Sequence, residues 1–169
     1  PFYLGVYPIT QQQYEAVMGI NPSDHKGAAL PVESVSYDDS CLFIEKLNQL
    51  QSVVTFRLPT EAEWEFASRS GTADTNGYGT DTLRNFSRYM WNYQQLGTQS
   101  VETSALPTTH PVGMKLQNAW GLYDILGNVG EWCADVYRSY EDGGFVNEEL
   151  RVIRGGSYSD LATYCRCAT

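Results

Sequence analysis

Apolar and polar positions follow a helical period in three early stretches of this chain and show little period afterwards. Thr10 followed by Gln13 forms a capping box, in which each side chain satisfies the other residue's backbone N–H, and Gly19 closes the short helix that begins there. Ser36 with Asp39 opens a second helix, whose Phe43, Ile44, Leu47 and Leu50 make an apolar face up to about residue 50. Thr60 with Glu63, just after Pro59, opens a third that runs through "EAEWEFASR" to Gly71. Trp64 and Phe66 read there as core aromatics, and Arg57, Glu61 and Glu63 as capping and buried ion-pairing residues.

The texture changes after residue 71. Residues 72–120 carry many Gly, Thr, Asn and Gln with few periodic runs, the pattern of long loops that serve a function or are tied down by ions or ligands. Short strand-like stretches remain at 53–58 ("VVTFRL"), 118–126 ("NAWGLYDIL") and 151–156 ("RVIRGG"). No repeat, low-complexity tract or linker divides the chain, so residues 1–169 read as one domain. The expected class is α+β: two to three helices, a small antiparallel sheet and much irregular loop.

Composition narrows the function. The 169 residues are enough for a domain that buries roughly 70% of its unfolded surface, and no apolar run approaches the ~20 residues of a membrane span. Twenty acids against eleven Lys and Arg give a net charge of −9, which argues against nucleic acid as a partner. Those acids are either a solvated surface or, in part, ligands for cations. The four cysteines (Cys41, Cys133, Cys165, Cys167) contain no CxxC pair, and His25 and His110 each stand alone, so zinc is disfavoured. There is no GxSxG elbow for a hydrolase. The first residues lack the basic region of a signal peptide, and a start without methionine reads as a fragment.

Two motifs carry chemistry. In "YDILGNVGEW", Asp124 and Glu131 bracket a glycine-containing turn. Their carboxylates either converge with the carbonyls of Gly127 and Val129, an oxygen set that suits calcium, or only hydrogen-bond the turn. In "RVIRGGSY", paired glycines after a strand suggest a tight bend that aims the following residues outward.

"FRLPTEAEWEFASR" (56–69), "NAWGLYDILGNVGEW" (118–132) and "RVIRGGSY" (151–158), in that order, resemble the formylglycine-generating enzyme family, also called the sulfatase-modifying-factor family. "GVYPITQQQYEAVMG" (5–19) and "LPVESVSYDDSCLFIEKLN" (30–48) are similar to its first two helices, so the likeness covers almost the whole chain. It implies a variant of the C-type lectin fold and a structural calcium ion at Asp124, Gly127, Val129 and Glu131. Gly130 stands where the family usually has tryptophan. A second family calcium site, near Asn92 and Tyr93, is poorly matched and is not carried over.

Catalytic members oxidise a sulfatase cysteine to formylglycine with oxygen and a copper(I) ion held by two cysteines. The matching positions here are Asp160 and Cys165, and a carboxylate is a poor substitute for a thiolate toward this soft ion. On an extended strand, Cys165 and Cys167 point to opposite faces and do not clamp one ion. "CRCAT" fits the family's non-catalytic pattern, in which Cys165 is a small buried hydrophobe.

The resemblance therefore implies a non-catalytic bacterial or phage domain that binds a protein or small-molecule ligand through Tyr158, Ser159, Asp160, Ala162 and Tyr164. The alternative is a formylglycine-generating oxidase using Cys165 and copper. Two family contexts fit the first reading. One is the variable protein of a diversity-generating retroelement, since every residue from Ser159 to Thr169 is reachable by randomising adenines in AAC-like codons. The other is a domain appended to a bacterial kinase or sensor. The cell surface or export is the expected location.

Overall fold

A computed structural model of the chain describes residues 1–73, 86–93, 107–138 and 146–168. Residues 74–85 and 94–106 of the expected loop region, and Thr169 of the terminal segment, lie outside the described residues. The elements run α1 (Gln11–Met18), α2 (Tyr37–Leu50), α3 (Glu61–Arg69), α4 (Phe86–Tyr89), β1 (Glu131–Arg138) and β2 (Val146–Arg154). The class is α+β, as the pattern predicted.

All three expected capping boxes form, at Thr10, Ser36 and Thr60, each with the reciprocal backbone and side-chain bonds. Gly19 ends α1 in the left-handed conformation, its N–H donating to the Glu15 carbonyl. On α3, Trp64, Ala67 and Ser68 share the face that packs on both strands. The two strands pair antiparallel, with register shifts between Trp132 and Val136 and between Val136 and Arg138.

Two of the three strand-like stretches are not strands. At 53–58, helix α2 supplies the bonds that a neighbouring strand would have made. Asn48 accepts the Phe56 N–H at 2.8 Å and donates to the Phe56 carbonyl at 3.0 Å, while Gln51 accepts the N–H groups of Val53 and Val54 and donates to the Val54 carbonyl. With its backbone satisfied this way, the stretch leaves Val53 and Val54 exposed. At 118–126, Asn118 wraps its own loop, accepting the N–H groups of Trp120 and Leu122, and anchors it to α3 by donating to the Ala67 carbonyl at 2.9 Å. Only 151–154 of the third stretch lies in β2, and its partner β1 carries too little alternation to have been expected.

The core lies between α3, the strands and the terminal segment, around the fully buried Trp64, Met90, Leu126, Cys133, Cys165 and Cys167. Several bonds fix α3 to β1. The Ala134 N–H donates to the Pro59 carbonyl at 2.8 Å, and Asp135 Oδ2 accepts the Glu61 N–H at 2.6 Å, placing a negative charge at the helix N-terminus. Arg154, only 5% exposed, ends β2 by pairing with Glu61 (3.5 Å) and Glu65 (3.3 Å) of α3 and donating to the Cys167 carbonyl at 2.6 Å.

Arg154→Met leaves two carboxylates and a carbonyl without that partner, so it should lower the free energy of unfolding by about 3 kcal/mol. A urea midpoint unchanged from the parent protein would mean that solvent already satisfies these groups.

Candidate functional site

The bend after β2 forms as expected, with consecutive positive φ at Gly155 (90°) and Gly156 (68°). Glycine is required at 156 by contact as well as conformation, since a Cβ there would sit 2.8 Å from the Cys165 sulfur. Beyond the bend the chain is a succession of turns. Asp160 closes the first of these, its Oδ2 accepting both the Ser157 N–H (2.8 Å) and the Ser157 hydroxyl (2.7 Å). Two outside segments hold this turn in place. Asn128 accepts the Tyr158 N–H at 3.0 Å, and the Asp160 carbonyl accepts the Tyr93 N–H at 2.9 Å.

The five expected ligand-binding residues therefore separate. Ser159 and Tyr164 are exposed, Tyr164 by 61%, and Tyr158 is half-buried. Asp160 is engaged within its turn. Ala162 belongs to the core at 1% exposure, a correction to its expected place on the surface. The cause is the turn at 162–165, closed by the Cys165 N–H donating to the Ala162 carbonyl at 3.2 Å, which leaves Ala162 packed in the same cluster as Cys165.

Cys165 is buried as expected, and Cys167 with it, on turns rather than on an extended strand. Cys165 Sγ lies 3.9 Å from the Ser157 carbonyl, whereas Cys167 Sγ accepts the Ser68 hydroxyl at 2.9 Å. All four cysteines are free. Burial, with the Asp160 charge beside it, pushes the Cys165 thiol up to about 12. The free group is thus a protonated thiol at neutral pH, and a copper ion would have to displace that proton to bind it. The position matching the first copper ligand is Asp160, whose carboxylate is already committed to Ser157. The residues present do not fit a copper(I) centre.

The calcium stretch fits its ion better. Asp124, 1% exposed and at φ 53°, accepts the Gly113 N–H on Oδ2 at 2.6 Å, while its buried Oδ1 has no hydrogen-bond partner among the described residues. Burial raises the Asp124 carboxyl, against the pull of the Gly113 N–H and the Lys115 ammonium. Glu131 Oε2 accepts the Trp64 indole N–H at 2.7 Å. Its carboxyl is pushed up to about 7, chiefly by burial and further by the Asp124 charge. A buried carboxyl held up by burial and by the charge of a neighbouring carboxylate is a site a cation would stabilise. Among the described residues no three His, Cys, Asp or Glu side chains gather as a metal cage. Calcium would draw its remaining ligands from the carbonyls of Gly127 and Val129 and from water. At Gly130 the space a side chain would use is occupied, since a Cβ would lie 2.8 Å from Ile153 Cγ2.

The sulfatase-modifying factor enzyme 1-like domain family matches residues 1–169. Chaperone protein LppX of Paenibacillus barcinonensis is 31% identical over 198 residues, covering 93% of this chain and 69% of that protein. The formylglycine-generating enzyme of Streptomyces coelicolor is 34% identical over 145 residues, covering 80% of this chain and 44% of the enzyme. The chain thus spans about two thirds of the chaperone and less than half of the enzyme. Among solved structures, Treponema denticola variable protein 1 superposes with a TM-score of 0.77 at 29% identity, over 96% of this chain and 77% of that one. The fold is a variant of the C-type lectin fold. No helix among the described residues is long and apolar enough to cross a membrane.

Glu131→Gln tests the raised carboxyl. A folded-state value above the unfolded one means that wild-type stability falls as pH rises from about 4.5 to about 7, where only the unfolded chain loses the proton. In chelator, Glu131→Gln should therefore melt higher than wild type above pH 7, with the gap closing as pH falls toward 5. His110, lowered by burial and by Lys115, works in the opposite direction but equally in both proteins, so it cancels in the difference. A gap independent of pH would show that Glu131 is ionised normally.

Proposed function

Since the chain belongs to the sulfatase-modifying factor family, we propose that it is a non-catalytic member, a ligand-binding domain that presents the turn segment after the Gly155–Gly156 bend. The observation that carries this reading is the fate of the two copper-ligand positions: Asp160 is bound into a turn by Ser157, and Cys165 is sealed in the core as a protonated thiol. The same segment offers Tyr158, Ser159 and Tyr164 to solvent, and Tyr with Ser makes adaptable recognition surfaces at low conformational cost. Leu161 and Thr163 are exposed beside them. The frame beneath is held by backbone bonds to Asn128 and Tyr93, so the exposed Leu161, Thr163 and Tyr164 side chains can vary around it, an arrangement that tolerates diversification. Likeness to a variable protein and to a chaperone supports a role in binding rather than oxidation.

In this reading a calcium ion held by Asp124 and Glu131 side chains with the Gly127 and Val129 carbonyls is structural. It would neutralise two carboxylates and fix the turn whose Asn128 carbonyl accepts the Tyr158 N–H. Ligand binding and calcium thereby share one element of structure.

Two experiments test these statements. Combined substitution of Tyr158, Ser159, Leu161, Thr163 and Tyr164 by alanine should leave the circular dichroism spectrum intact and the melting temperature within a few degrees, whereas Cys165→Asp should prevent folding. Unfolding of the five-site variant would remove the display reading. Adding calcium to chelator-treated protein should raise its melting temperature, and Asp124→Ala or Glu131→Ala should abolish the rise. An equal rise in these variants would remove the proposed ion site.

A further inference from the structure

The surface around Tyr158 is composite, made from segments 130 residues apart in the chain. The His25 ring meets the Tyr158 ring edge-on, with centroids 5.4 Å apart and planes at 90°. Glu33 fixes His25: its Oε1 accepts the His25 backbone N–H at 2.8 Å and lies 3.6 Å from the ring Nδ1. Ser34, at φ 58°, donates its hydroxyl to Glu33 Oε2 at 2.6 Å and stands 3.4 Å from Asp24 Oδ2. Two carboxylates are thereby tied to the His25 segment that packs on Tyr158; Glu33 lies within ion-pair reach of the His25 imidazole, and among the described residues neither carboxylate pairs with a lysine or arginine. Lys26, the nearest base in sequence, donates instead to the Asn21 carbonyl at 2.8 Å. Burial raises the Tyr158 phenol, and the charges of Glu33 and then Asp24 raise it further, so both carboxylates act on this ring.

We propose that this face takes a cationic group, the guanidinium or ammonium of a basic protein segment, seated against the Tyr158 ring with Asp24 and Glu33 as its counter-charges. The inference rests on the display reading above and adds the chemistry of the partner. A guanidinium stacks on an aromatic ring and hydrogen-bonds a carboxylate with its edge, so it satisfies both features at once. A neutral or acidic partner would desolvate the carboxylates without replacing water, which is unfavourable. The net charge of −9 steers basic partners toward the domain over longer distances. Sequence reading missed Asp24, His25 and Glu33 because only the fold brings them to Tyr158.

The test is a two-dimensional NMR titration of the chain with N-acetyl-arginine methylamide and, separately, with its uncharged isostere N-acetyl-citrulline methylamide. The arginine probe should shift the amides of His25, Ser34 and Tyr158 and bind at least about fivefold more tightly than the citrulline probe. Asp24→Asn, an exposed change that keeps the shape, should weaken the arginine probe by about threefold and leave the citrulline probe unaffected. Equal binding of both probes, or shifts that bypass Tyr158, would overturn the cationic assignment. That failure is separable from failure of the display reading. If the two probes bind equally, a selected ligand that is lost on Tyr158→Ala keeps the surface without the cation. A selected ligand indifferent to Tyr158→Ala and Tyr164→Ala removes the surface itself.

Discussion

Arg154 carries a charge into the core and joins three parts of the molecule that are remote in sequence. Its guanidinium pairs with Glu61 and Glu65 on α3 and donates to the Cys167 carbonyl of the terminal segment, while its backbone ends β2. It also lies 5.4 Å from the centre of the Trp64 ring. A charge this buried is tolerated only where its partners are fixed, so helix, sheet and terminal segment hold each other in place. Trp64 repeats the arrangement on the other side of the core, donating its indole N–H to Glu131 at the start of β1. The terminal turn segment and the proposed ion site therefore hang on one helix face.

On the proposed non-catalytic reading, that dependence lets the frame persist without the copper chemistry of oxidising relatives. Cys165 fills the space against Gly156, where an added Cβ would lie 2.8 Å from its sulfur. Asp160 keeps its place because its carboxylate closes the Ser157 turn. Each residue has a structural duty that conflicts with binding copper. On that reading, the exposed Ser159, Leu161, Thr163 and Tyr164 side chains are constrained by little except solvent.

Much of this was legible in the sequence where the cause is local. A capping box is a four-residue signal, and all three form at Thr10, Ser36 and Thr60. The Gly155–Gly156 bend is likewise encoded on the spot. What could not be read depends on which groups arrive from elsewhere. The stretch 53–58 has strand residues, but Asn48 and Gln51 take its backbone bonds first. Ala162 looks like part of a surface run until the turn to Cys165 buries it. His25 reaches Tyr158 only through the fold. β1 was missed for a related reason: its register shifts break the alternation that would have announced it.

The account stands or falls on whether the domain has a soft-metal centre. The direct measurement is titration of the fully reduced protein with copper(I) against a competing chelator, with Cys165→Ala alongside. The account predicts no stoichiometric complex that survives the chelator, and the same titration for both proteins. A tight one-to-one complex that Cys165→Ala abolishes would contradict it and restore the oxidase.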